Sequence, residues 1–375
     1  MSDETQVPLG LASYINRTFS DLAGLALKGL GDAYDVEKEL FYFKISKTKD
    51  GVVKLGHSLR YTIICLLGLA KTEALGKNSP VNVKKALESI MQRAGSINDT
   101  GDLGLLFWLC SIASPNEVER SYSYLNIRRG FTAYLASNGC KTTELAWCLT
   151  ALSYASLALE GKIPQLFELA DAFYRKLVAG YGGKGIFGHG NTDGARWLLR
   201  EKVGCFADQV YPIYALSKYY AVSANPEALR IAVECGDAIC SLQGELGQWW
   251  WHYNATTGKV AGRYPVYSVH QDGMAPMALF ELGKAAGTDY AAAIYKGLAW
   301  IYGRNELNRS MIDTNRSVIW RNIHRPTTGK YLELVSSGLF GTSSRKMPGD
   351  LRMLYECWSY HLGWFLYAFA GNVSL

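Results

Sequence analysis

Charge is scarce in this sequence: Asp, Glu, Lys and Arg make up 19% of its 375 residues. The net charge is a mild +6, and the basic residues are scattered without a run. Nucleic-acid-binding proteins concentrate basic charge in a patch, so no nucleic-acid partner is expected. An anionic small molecule or sugar fits the charge well. No CxxC pair occurs among Cys65, Cys110, Cys140, Cys148, Cys205, Cys235, Cys240 and Cys357. Most lie inside apolar runs and read as buried free thiols of a reducing compartment. No Cys/His spacing matches a zinc ligand set, so neither metal nor cofactor is expected. No uninterrupted apolar window reaches the roughly 18 residues that a membrane span needs. The opening "MSDETQVPLGLASYINRTF" lacks the basic and apolar regions of a signal peptide, and a cytoplasmic location is expected. Sustained strand alternation is missing too, apart from short stretches such as "VVKL" and the rim of one long loop.

What remains is a 49% hydrophobic chain dominated by helical periodicity. "SLRYTIICLLGLAKTEAL" (58–75) and "TTELAWCLTALSYASLAL" (142–159) place apolar residues at i, i+3, i+4 and i+7. Twelve such segments are read: 8–29, 58–75, 80–94, 102–114, 117–136, 142–159, 163–179, 207–222, 226–243, 271–286, 289–304 and 351–370. "KNSPVN", "SPNEVE" and "SANPEA" punctuate them. Six segments share a polar entry followed by aromatic and small apolar residues, beginning near His57, Asp102, Thr143, Asp208, His270 and Glu356. Between them lie amphipathic segments such as "NVKKALESIMQRA", with one wet face. The weak repeat of inner and outer helices describes an all-α fold, an (α/α)6 toroid of six helical hairpins. It is expected to form one domain over 1–375, with 1–50 as N-terminal helix and lead-in and 51–371 as the main barrel. Parallel inner helices bring their N-termini, and the loops leading into them, to one mouth.

Three connections are too long to be simple joints: 183–204, 244–269 and 308–334. The second holds three consecutive tryptophans and runs into "YPVYSVHQDGMAP". Within "CGDAICSLQGELGQWWW", Gln243, Gly247 and Trp249 take the spacing Q-x3-G-x-W. This resembles the QW repeat of the terpenoid cyclase and protein prenyltransferase toroids. The whole-chain pattern also resembles the six-hairpin carbohydrate-active toroids, namely glycosidases, uronyl hydrolases, lyases and sugar 2-epimerases. The DxDD and DDxxD motifs of the cyclases are missing, the nearest string being "NDTGD" (98–102). A cyclase-like reading therefore needs different chemistry.

Candidate chemistry gathers at the helix entries. Tyr264, Tyr267, His270 and Asp272 precede or open an inner helix, and an imidazole near its ordinary pKa beside a carboxylate suits proton transfer. Asp208 and Tyr211 open the helix before it. If Asp208 and Asp272 face one another, they form the carboxylate pair that glycoside chemistry uses. The competing role for both is helix capping. Asp208, His270, Asp272 and Tyr267 are the catalytic candidates. Trp249, Trp250, Trp251 and His252 offer aromatic faces on which sugar rings or isoprenoid chains can stack. His189 and Arg196 lie on the 183–204 loop, and Arg321 on the arginine-rich third loop suits carboxylate or phosphate recognition. Arg60 and Glu144 stand at two further entries. Together they point to a carbohydrate-active enzyme of hydrolase, lyase or epimerase type, acting on a small-molecule or oligosaccharide substrate, with anionic sugars among the candidates. The alternatives are a noncanonical terpenoid cyclase or isomerase, and a binding protein without catalysis.

Overall fold

A computed structural model describes residues 10–160, 162–190, 201–326 and 351–372. Each inner helix is buried on nearly every side. They are α2 (Leu59–Glu73), α4 (Thr100–Ala113), α7 (Thr142–Ala158), α9 (Ala207–Ser223), α11 (Ala275–Ala286) and α13 (Ser359–Phe369). Each packs against the next, and α13 packs back on α2, so the ring closes. The outer layer is α1 (Leu11–Ala33), α3 (Val83–Gln92), the broken pair α5 (Val118–Tyr124) and α6 (Ile127–Ala136), α8 (Pro164–Val178), α10 (Pro226–Ser241) and α12 (Ala291–Ile301). These present one apolar face inward; α3 buries Val83, Ala86, Leu87 and Ile90 and leaves its lysines wet. The toroid expected from periodicity is the fold observed.

Helix starts follow capping chemistry. Ser58, Asp99 and Asn225 accept hydrogen bonds from free N–H groups of α2, α4 and α10. Pro164 and Pro226 stand at first helical positions, where a missing N–H costs nothing. Small residues let the first and last inner helices touch. A Cβ on Gly68 would lie 2.2 Å from the Gly363 carbonyl oxygen, so α2 and α13 cross backbone to backbone there. One continuous core of buried apolar side chains runs from Ile15 to Phe369.

Inner-to-outer connections are short, such as 224–225 and 287–290, whereas outer-to-inner connections carry the long segments. Strands stiffen those segments. β2 (Leu40–Thr48) and β3 (Gly51–His57) form a hairpin, with β1 (Tyr34–Asp35) and β12 (Glu356–Trp358) also on β2. Helical periodicity predicts one helix over 351–370. The structure corrects this: β11 (Arg352–Leu354) and β12 come first, and α13 begins only at Ser359. The cause is tertiary, since Glu356, Cys357 and Trp358 pair with Ser46, Ile45 and Lys44. The 244–269 loop folds as β5 (His252–Asn254), β6 (Lys259–Gly262) and β7 (Val266–Tyr267), with β5 joining β4 (Val203–Cys205) to β6. The strand β8 (Ile312–Asp313) pairs with β9 (Val318–Ile319), and β10 (Asn322–His324) pairs with both β7 and β11. Among the described residues, no helix is long and apolar enough to cross a membrane.

Candidate active site

The mouth is built where the inner helices begin. At the start of α4, Asp102 receives a short hydrogen bond from Arg60 Nε of α2, and Asp99 lies 3.2 Å from the same guanidinium. The guanidinium also sits 5.5 Å from the Trp147 ring. Glu144, at the start of α7, accepts from Tyr134 Oη at 2.7 Å and from Lys141 Nζ. Burial pushes the Asp102 pKa up; Arg60 opposes the rise, while Asp99 and Glu144 reinforce it. A carboxyl whose pKa is raised by partial withdrawal from water keeps its proton to higher pH, the condition for serving as a general acid.

Arg321, like Arg60, lies within electrostatic reach of Tyr61. Its guanidinium carbon lies 2.9 Å from the Trp358 ring centroid and 5.1 Å from that of Tyr267. Among the described residues it has no carboxylate within ion-pair distance, and its Nε is buried without a hydrogen-bond partner. The Tyr61 ring meets Tyr360 at 4.4 Å and Trp358 at 5.7 Å. Tyr211 bridges Trp147, at 5.2 Å, and Trp364, at 5.7 Å. The lining is thus aromatic, with charged groups set into it.

Two histidine–aspartate pairs underlie this lining. Asp208, fully buried, takes His189 Nδ1 at 2.9 Å, the Cys205 amide at 2.8 Å and Thr143 Oγ1 at 2.8 Å. Burial opposes ionisation, yet the His189 bond and charge and the Cys205 contacts hold its pKa below the ordinary value. Asp272, also fully buried, gives both oxygens to His361 Nε2 at 2.7 and 2.9 Å. Burial raises its pKa, and His361 works against that rise. The expected pairing of Asp208 with Asp272 across an open cavity is therefore corrected. Each carboxylate is without exposed surface and bonded to its own histidine.

His270 opens a π-helical turn, His270–Met274, rather than an extended approach. It lies against Phe206 at 4.6 Å and Tyr267 at 5.0 Å, with Nδ1 buried and unpartnered. Burial, with Arg321, His361 and His252 nearby, lowers its pKa to about 3. The expectation that His270 titrates near neutrality is corrected by that desolvation. Tyr267 stays at the mouth, its pKa raised by burial and drawn back by Arg321.

The tryptophan run divides. Trp249 is wholly buried on Phe206 at 5.6 Å, so it serves the core rather than the mouth. Gln243 Nε2 donates to Gly247 O and Ala293 O, both at 3.0 Å, which makes the Q-x3-G-x-W string a clip between α10 and α12. Trp250 is buried too, its indole donating to Leu242 O at 2.8 Å. Trp251 is half-buried beside His252 at 4.2 Å and Tyr267 at 6.2 Å, and is the one near the mouth. His252 is buried in β5 opposite Gly262, and Tyr264 donates to Glu306 at 3.0 Å. Arg196 lies outside the described residues. Asp102, Asp99 and His361 were missed as site residues. The first two stood in plain view in "NDTGD", at an inner-helix entry. His361 has no sequence signal, because its partner lies far away in the chain.

The architecture defines a class: an (α/α)6 toroid of the six-hairpin kind, with its polar groups at the inner-helix N-termini. Solved structures carry the likeness further. The chain is similar to an unsaturated glucuronyl hydrolase specific for heparin, at TM-score 0.59 and 13% identity over 96% of each chain. It is similar to the unsaturated glucuronyl hydrolase of Bacillus sp. GL1, responsible for degradation of glycosaminoglycan, at TM-score 0.61 and 13% identity over 95% of each chain. It is also similar to a possible member of the GH105 family from Klebsiella pneumoniae, at TM-score 0.61 and 11% identity over 99% of this chain and 94% of that one. No family model matches the chain, and no curated protein matches it. At these identities the likeness establishes the fold.

Proposed function

We propose that the chain is a glycoside-cleaving enzyme acting on an anionic sugar at the mouth of the toroid. The observation that carries this reading is Arg321: a guanidinium held over Trp358, with no carboxylate partner among the described residues. The residue is half-buried and its Nε is withdrawn from water without an acceptor; leaving a donor of a charged group unsatisfied is costly, and a sugar carboxylate supplies the acceptor through bidentate hydrogen bonds. Asp102 is the proton donor in this scheme, its pKa raised by burial and by Asp99 and Glu144. Glycosidic cleavage needs such a raised carboxyl to protonate the departing or reacting oxygen. Trp147, Tyr61 and Tyr360 supply ring faces on which a sugar stacks. The fold likeness to glucuronyl hydrolases supports the same reading. Three carboxylates and two arginines at the mouth disfavour the cyclase alternative, whose cation needs a dry aromatic pocket.

The test is a substrate panel of saturated and unsaturated uronyl oligosaccharides, neutral oligosaccharides and prenyl diphosphates. Turnover is expected with uronyl substrates, and Asp102→Asn is expected to lower kcat by about 10²–10⁴-fold with its melting temperature kept. Binding of uronides without turnover would make the chain a binding module. Preferential turnover of a neutral sugar or a prenyl diphosphate would overturn the reading.

A further inference from the structure

The linear spacing of cysteine and histidine shows no metal motif, yet the fold gathers three ligand types. One donor atom each of His189, Cys205 and Asp208 lies within 4.8 Å of the others. We propose that these three side chains bind a zinc-class divalent cation beside the mouth of the toroid.

Three separately anchored elements hold them. His189 sits on a segment tied to the start of α7, where Thr142 N donates to His189 O at 3.1 Å and Lys141 bridges to Gly190. Cys205 ends β4 and pairs with His252 of β5. Asp208 lies in the first turn of α9. Imidazole, thiolate and carboxylate form a donor set that Zn²⁺ accepts, and three protein ligands leave a fourth position for water or a substrate oxygen. Two anionic ligands neutralise a doubly charged ion, which lets it sit where Asp208 is fully buried. Supporting bonds are already in place: Thr143 Oγ1 and the Cys205 amide each donate to the Asp208 carboxylate at 2.8 Å. Such outer contacts orient ligating carboxylates and sharpen affinity. Access exists as well. The His189 side chain is 16% exposed, and Cys205 is half-buried while six of the other cysteines are buried. Binding displaces the thiol proton to solvent, so ion uptake releases protons. Tyr211 and Tyr267 lie within electrostatic reach of Cys205, so the open coordination position shares the mouth with them.

The experiment titrates chelator-treated full-length protein with Co²⁺ and follows the absorption spectrum. The expected result is saturation at one equivalent, with a thiolate-to-cobalt charge-transfer band that Zn²⁺ bleaches. Cys205→Ser is expected to abolish the band, whereas Cys240→Ser, at the other half-buried thiol, keeps it. His189→Ala is expected to weaken Co²⁺ affinity by about tenfold or more, giving a second reading if Cys205→Ser misfolds. Absence of the band in the native chain, or its survival in Cys205→Ser, overturns the site. Unchanged affinity in His189→Ala overturns it equally. Sugar turnover is measured apart from metal: uronide cleavage without a band removes this site alone, and a band without cleavage removes only the sugar reading.

Discussion

Acidification should destabilise this protein through His270, by an amount the structure sets. The ring is buried between Phe206 and Tyr267, and its pKa falls from 6.5 to about 3. Between those values the unfolded chain binds a proton that the folded chain refuses. Stability therefore falls as pH drops through 6.5, and continues to fall until the folded pKa is reached. At pH 5 the imidazole of the unfolded chain is protonated across roughly 1.5 units, worth about 2 kcal/mol. His270→Phe keeps a ring between the same two aromatics and removes the titration. Urea denaturation of both proteins at pH 7.5 and pH 5 measures the difference, and the remaining histidines cancel between them. The native chain is expected to lose about 2 kcal/mol more than His270→Phe over that interval. Equal losses would refute the buried, neutral imidazole, and with it the reason for moving proton transfer away from His270.

Arg321→Met should raise KM for a uronide by about 10–100-fold while leaving any neutral substrate untouched, since one bidentate charged contact to a carboxylate is worth roughly 1.5–3 kcal/mol; paired kinetics on the two substrates check it. Asp272→Ala strips both acceptor oxygens from the buried His361 and should cost about 3–5 kcal/mol in denaturant titrations. Gly68→Ala places a methyl group against the Gly363 carbonyl and should cost about 1–3 kcal/mol or more, seen as a lowered melting temperature.

Helices were legible because their signal is local. The apolar period over 58–75 and 142–159, the Ser58 cap and the Pro226 start all lie within a few residues of what they specify. β12 was not legible in that way, because Trp358 becomes a strand residue only by meeting Lys44, which entered the chain more than three hundred positions earlier. The site divides along the same line. The entries of the inner helices placed Arg60, Glu144, Asp208 and Tyr267 near the mouth, since helix geometry alone brings those N-termini together. What each group does there depends on neighbours that sequence spacing does not reveal. Asp272 reads as a cap or a base until His361 takes both its oxygens. His189 and Cys205 look unrelated until β4 and the start of α7 bring them to one carboxylate. The tryptophan run offers three stacking faces in sequence, but Trp249 and Trp250 join the core and Trp251 alone of the three stays half-exposed.

The contact between Gly68 and Gly363 is also a seam in time. Every other inner helix meets its neighbour soon after both have been synthesised, but α2 waits for α13, the last helix of the described chain. Until then the growing chain is an open crescent, with the apolar flanks of α2 and α11 bare and β2 lacking its partner β12. Loss of the final helix is therefore not the loss of one part in six. It removes the clasp, takes His361 from Asp272, and leaves two faces built for burial turned toward whatever else is near.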